Sequence, residues 1–172
     1  VATPEFTDAG AAFSDDRCYR YSLWRWWGVG NGQKCCFIML NPSTADENVL
    51  DPTVRRCVGF ACDWGYSGLI IANIFALRAT NPRELYRSIN PTGGCENDEA
   101  IMAAVLQPDC VVCAWGNHGC HMNRGLEVEV MLRGLHSVCL GVTKDEQPKH
   151  PLYLKRDTQR RPFGQQTSVA GR

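Results

Sequence analysis

Hydrophobic residues fall along this chain in short unbroken runs separated by stretches of helical period. Residues 34–40 end in the apolar run Phe37-Ile38-Met39-Leu40, which stops at Asn41-Pro42. A short apolar run closed by a turn predicts a buried strand. Comparable runs stand at 68–75 (GLIIANIF), 110–115 (CVVCAW) and 137–142 (SVCLGV). Between the first two, Val54, Cys57, Val58, Ala61 and Cys62 recur at i, i+3, i+4, i+7 and i+8, one face of a helix. Asp51 precedes that helix as N-cap, Pro52 takes its first position and Gly65 ends it. Further helices are expected over 97–106, stopped by Pro108, and over 124–135, where Leu126, Val130 and Leu135 share a side. Upstream, 18–28 (CYRYSLWRWWG) alternates Tyr19, Tyr21 and Leu23 with Arg20 and Ser22. Interleaved arginines and aromatics can stack bases, but an edge strand packed on the domain is the preferred reading.

Strands alternating with helices at this spacing imply right-handed β-α-β crossovers. The expected fold is α/β, with three layers (α/β/α) around a central, mainly parallel, four-stranded sheet. The 172 residues suit one domain. It is expected over 13–163, after a flexible arm at 1–12 and before a disordered tail at 164–172. The first ten residues lack the basic-then-apolar pattern of a secretory signal, and no apolar run reaches membrane-spanning length. A cytoplasmic, monomeric protein that does not contact membrane is therefore expected.

Composition changes this picture in two places. Ten cysteines are many for the length, yet they lie within predicted strands and helices, so reduced core thiols are expected. Cys110, Cys113, His118, Cys120 and His121 tempt a metal reading, but Cys110 and Cys113 flank Val111-Val112. Strand alternation sends the two sulfurs to opposite faces, so no metal and no cofactor are expected. Formal net charge is zero, but 149–172 carries Lys149, Lys155, Arg156, Arg160, Arg161 and Arg172 against Asp157 alone. That end holds a net +5 and leaves −5 elsewhere, a distribution suited to phosphate contact or to a solvated tail.

In a parallel sheet the C-terminal strand ends share one rim, and each predicted end here delivers polar groups. The first gives Asn41, Pro42, Ser43, Thr44 and Asp46; the second gives Asn73, then Arg78 and Thr80. The third gives Trp115, Gly116, Asn117 and His118, and the fourth leads to Lys149, His150 and Pro151. Asn73, an amide inside an apolar strand, must be satisfied or used, and its donor and acceptor suit the edge of a nucleobase.

The segments RYSLWRWWG, MLNPSTAD, DPTVRRCVGFACDWGY, NIFALRATNP, AWGNHG and LGVTKDEQPKHPLYL resemble, across about 11–163, a family of bacterial and phage proteins classed as a domain of unknown function. The order Asn-Pro turn, strand with internal Asn, Trp-Gly and His-Pro is similar, more distantly, to the uracil-DNA glycosylase superfamily. That resemblance implies that Asn41-Pro42 positions water, that Asn73 reads a flipped base, and that Trp115-Gly116 completes the third motif. His150 would stabilise the departing base, with Leu152 or Tyr153 wedged into DNA. Met39-Leu40 stands where small residues are common, and Leu152-Tyr153-Leu154 where a serine-containing turn is usual.

The expected activity is hydrolysis of the N-glycosidic bond of a damaged or modified, uracil-like base in DNA. Asn41, Asp46 and His150 are the catalytic candidates, with Asp46 the nearby carboxylate able to act as base. Asn73, Pro42, Ser43, Trp115 and Gly116 would bind the base. Arg55, Arg56, Arg78, Lys149, Leu152, Tyr153, Lys155 and Arg156 would meet DNA. Two rival readings are a non-catalytic nucleic-acid or nucleotide-binding module and a hydrolase of a free modified nucleotide.

Overall fold

The computed structural model describes residues 3–28 and 32–164; the expected tail lies outside the described residues beyond Gly164. Seven strands form one sheet: β1 (Asp8–Phe13), β2 (Arg20–Trp26), β3 (Lys34–Met39), β4 (Gly68–Asn73), β5 (Cys110–Cys113), β6 (Ser137–Cys139) and β7 (Arg161–Phe163). Their order is β1-β2-β4-β3-β5-β6-β7. The four expected strands are a continuous parallel block, β4-β3-β5-β6. The sheet as a whole is mixed, because β1, β2 and β7 add antiparallel pairings at the two sides.

Two expectations fail at the first of those sides. Residues 8–12, within the stretch expected as a loose arm, belong to strand β1 (Asp8–Phe13), and β2 is therefore not an edge. The cause is size: Gly10 pairs with Trp24, and a Cβ on it would stand 2.1 Å from the indole ring. Glycine at this position leaves room for the Trp24 ring across the strand pair. The Trp24 indole N–H also donates to Asp8 at 3.0 Å.

Helices α1 (Pro52–Asp63), α2 (Arg83–Arg87), α3 (Gly94–Leu106) and α4 (Arg124–Met131) complete the α/β fold. Strand alternation divides the core. Cys35, Phe37 and Met39 of β3 pack with Val54, Cys57 and Val58 of α1. Cys36 and Ile38 face the other way, towards Ile101 of α3 and Val128 of α4. Cys110 and Cys113 fall in opposite clusters, as strand period requires. Among the described residues no group of three or more His, Cys, Asp or Glu is placed to hold a metal ion. No helix among them is long and apolar enough to cross a membrane.

The third predicted helix presents a different face from the expected one. Leu126 and Val130 are exposed, while Arg124, Gly125 and Val128 are buried. Gly125 closes against Trp115, where an added Cβ would come within 2.9 Å of the indole nitrogen. That close approach, invisible to hydrophobic periodicity, turns the helix.

Helix α1 starts as its sequence dictates. Asp51 has extended backbone, and its Oδ1 accepts from the Val54 N–H at 2.8 Å, with Pro52 next in line. Asp51→Ala is expected to lower stability by about 1 kcal/mol, whereas Asp51→Asn keeps the cap and changes it little. Urea unfolding of the two variants checks this.

Candidate active site at the strand ends

The C-terminal ends of the parallel strands open into a cavity of about 600 Å³, a size that accommodates a nucleoside-sized ligand. Its lining includes Asn41 and Ser43 after β3, Asn73 ending β4, Trp115 and Gly116 after β5, and His150. Leu152 and Tyr153 line its mouth, with Tyr153 90% exposed and projecting. Arg20 and Asp51 line it as well.

Each polar group is held in a defined orientation. The Asn41 amide nitrogen donates to the carbonyls of Pro42 (2.9 Å) and Ala79 (2.7 Å). Its Oδ1 therefore remains as an acceptor. Asn73 is fixed from two sides: its backbone carbonyl accepts from the buried Asn97 amide on α3, and its Oδ1 accepts from Arg20 at 3.2 Å. Arginine has no acceptor, so this contact sets the amide's direction. The Nδ2 donors have no partner among the described residues, and the side chain lines the cavity.

Arg20 itself is buried and also donates to the Ala45 carbonyl at 2.8 Å. Burial, opposed by the nearby Asp51 charge, pulls its guanidinium down to about 10, and it remains a cation at neutral pH. Arg25, from the same strand, reaches the carbonyls of Gly10 and Asp46. Arg20, which alternation would point outwards, and Arg25 thus clamp the loop that carries Asn41.

His150 is placed by a small hairpin. Lys149 N–H donates to Gly141 O at 2.8 Å, and Gly116 N–H donates to Pro148 O at 2.8 Å. Gly116 has φ +74°, a backbone that favours glycine, and packs beside His150, whose Cβ would stand 3.4 Å from one added there. His150 also caps the short 3-10 helix Pro151–Tyr153, with Nδ1 accepting from Leu152 N–H at 3.3 Å. That bond assigns the neutral tautomer with its proton on Nε2. Burial holds the imidazole below its usual range, with Asp51 pulling the other way.

Other expected residues sit differently. Pro42 does not line the cavity; its carbonyl ties Ala79 N–H and the Asn41 amide. The Asp46 carboxylate accepts from Asn48 N–H and Val49 N–H, both at 2.8 Å, within its own turn and outside the cavity lining. Those two bonds hold it below the usual carboxylate range, the wrong direction for a base. Trp115 is buried, and its indole N–H donates to Gln147 at 2.9 Å, so it walls the cavity as part of the core.

Three of the cations expected to meet DNA are committed elsewhere. Arg56 donates to the Leu154 carbonyl and stacks on Phe60. Arg78 donates to the Arg17 carbonyl and lies over Phe13. Arg156 pairs with Asp63 through both its Nε and its terminal nitrogen. Arg55, Lys149 and Lys155 are exposed and form no ion pair among the described residues.

Sequence reasoning missed three contributors. Arg20 gave no signal, because strand alternation assigned it to the surface. Asp51 was legible only as a helix cap. Asn97, which holds the end of β4, sits in a helix whose polar positions look solvated.

Residues 20–152, most of the chain, match the profile of a family described as "Protein of unknown function (DUF1643)". No curated protein and no solved structure matches the chain.

A lowered His150 has a definite consequence for stability. The unfolded chain binds that proton at higher pH than the folded one, so stability rises with pH just below the usual imidazole range and is lost on acidification through the folded pKa. Side-chain NMR is expected to show a neutral ring at pH 7 with the proton on Nε2, titrating below pH 6.5.

Proposed function

The chain belongs to the DUF1643 family, and from the chemistry of its cavity we propose that it hydrolyses the N-glycosidic bond of a damaged or modified, uracil-like base in DNA. The observation that carries this reading is the convergence of Asn41, Asn73 and His150, from three separate segments, on one nucleoside-sized hollow. The motif order Asn-Pro, internal Asn, Trp-Gly and His-Pro, which resembles that of the uracil-DNA glycosylase superfamily, also supports this reading.

Such hydrolysis passes through an oxocarbenium-like sugar and an anionic leaving base, which the site must hold apart from bulk water. A flipped base enters the cavity with a carbonyl oxygen towards the Asn73 donors. The Asn41 carbonyl oxygen orients a water but cannot take its proton. His150, neutral and donating through Nε2, stabilises charge as it develops on the base. A preorganised donor of this kind contributes roughly 3–4 kcal/mol of transition-state stabilisation. Tyr153 and Leu152 at the mouth support the duplex, and Arg55, Lys149 and Lys155 supply phosphate contacts. The protein would act in the cytoplasm as a monomer, as one globular unit.

One observation favours a second reading, a hydrolase of a free modified nucleotide. Arg56, Arg78 and Arg156 are bonded within the protein, which leaves fewer cations for a long phosphate backbone than the sequence suggests.

Oligonucleotides bearing uracil, hydroxymethyluracil or another altered base, probed for abasic sites, test the proposal. Wild-type protein is expected to release at least one base. His150→Ala is expected to lower the rate by about 10²–10³-fold, and Asn41→Ala and Asn73→Ala to impair it as well. Undiminished activity in all three variants contradicts the site. Release from a mononucleotide but from no oligonucleotide selects the second reading.

A further inference from the structure

Hydrolysis needs an acceptor for the water's proton, and the expected one, Asp46, lies outside the cavity lining, with one oxygen tied to its own turn. Asp51 is the single carboxylate among the residues that line the cavity. It is 6% exposed, and one oxygen accepts from Val54 N–H at 2.8 Å. Its other oxygen has no partner among the described residues, and the side chain joins no ion pair among them. A helix cap needs one oxygen, and a neutral serine or asparagine serves it equally well. A buried carboxylate is the costlier choice for capping alone.

We propose that Asp51 is the general base of this site, an assignment that rests on the hydrolytic reading. Water sits between two acceptors, the Asn41 carbonyl oxygen and the free Asp51 oxygen, and donates one hydrogen to each. That arrangement turns an oxygen lone pair towards the sugar C1′. As the C–O bond forms, the C1′–N bond breaks and its electron pair leaves with the base. The proton passes from water to Asp51, while the Nε2–H of His150 and the amide of Asn73 receive the base anion. The base then takes up a proton, Asp51 returns its own to solvent, and the products are free base and a sugar bearing a 1′-hydroxyl. The groups around the carboxylate suit the role. Arg20 on β2, His150 ahead of the 3-10 helix and the Cys57 thiol on α1 are the titratable neighbours that interact with it. The Arg20 guanidinium interacts with the carboxylate without pairing with it.

Asp51→Asn and Asp51→Ser both retain a capping oxygen and both lack the base, so two variants guard against one that fails to fold. Single-turnover base release by the full chain is measured against pH, with urea unfolding as the control. Each variant is expected to keep a near wild-type urea midpoint and to lose roughly 100-fold or more in rate. Each is also expected to change the shape of the rate's pH profile. A variant that keeps wild-type rate and pH profile overturns the assignment while leaving the hydrolytic reading intact. Wild-type protein that releases no base from any oligonucleotide or mononucleotide overturns both.

Discussion

A buried guanidinium is the constraint on which the site depends. Arg20 sits at the start of β2 with almost no access to solvent and spends its hydrogen bonds on the Ala45 carbonyl and the Asn73 side chain. Taking a charge out of water is unfavourable unless every bond it makes is a good one. The Nε of Arg20 has no partner among the described residues, so its terminal nitrogens carry the compensation. Those bonds join three chain segments that are far apart in sequence. The loop after β3, the end of β4 and the start of β2 are held in one arrangement. Arg25 repeats the device one turn of loop further on, at the Asp46 carbonyl.

The consequence is a cavity whose hydrogen-bonding character is fixed before anything enters it. Arg20 occupies the acceptor of Asn73 and leaves its donors; Pro42 and Ala79 occupy the donors of Asn41 and leave its acceptor. Leu152 N–H occupies one nitrogen of His150 and leaves the other as a donor. Donors (Asn73, His150) and acceptors (Asn41, Asp51) are thereby assigned by the scaffold, which is the kind of preorganisation that favours one charge distribution over its reverse. A site arranged this way receives electron-rich atoms at Asn73 and His150 and hydrogens at Asn41 and Asp51.

Much of this was legible in the sequence, for identifiable reasons. The four parallel strands announce themselves as unbroken apolar runs because both faces of those strands are covered. Asn41, Asn73 and His150 could be placed on one rim because parallel strands must end together. Helix α1 could be read down to its cap. What could not be read depended on size and close approach. Residues 8–12 look like an arm until Gly10 is set against Trp24. Arg20 looks exposed because alternation ignores an arginine whose partners, the Ala45 carbonyl and the Asn73 side chain, are distant in sequence. The second oxygen of Asp51 has no sequence signature at all, since an aspartate before proline already has a sufficient explanation as a cap. Asp46 lies outside the cavity for the converse reason: its proximity to Asn41 in sequence said nothing about the backbone N–H groups it would meet in its own turn.

The central claim is that the hollow at the strand ends is a nucleobase site. The most direct measurement follows the Asn73 side-chain amide and the His150 Nε2–H by NMR while an oligonucleotide carrying one uracil or hydroxymethyluracil is added. The account predicts that both signals shift together and saturate, with the groove near Arg133 and Phe163 unaffected. Shifts confined to that groove, or none at Asn73 and His150 with any modified base, would contradict it.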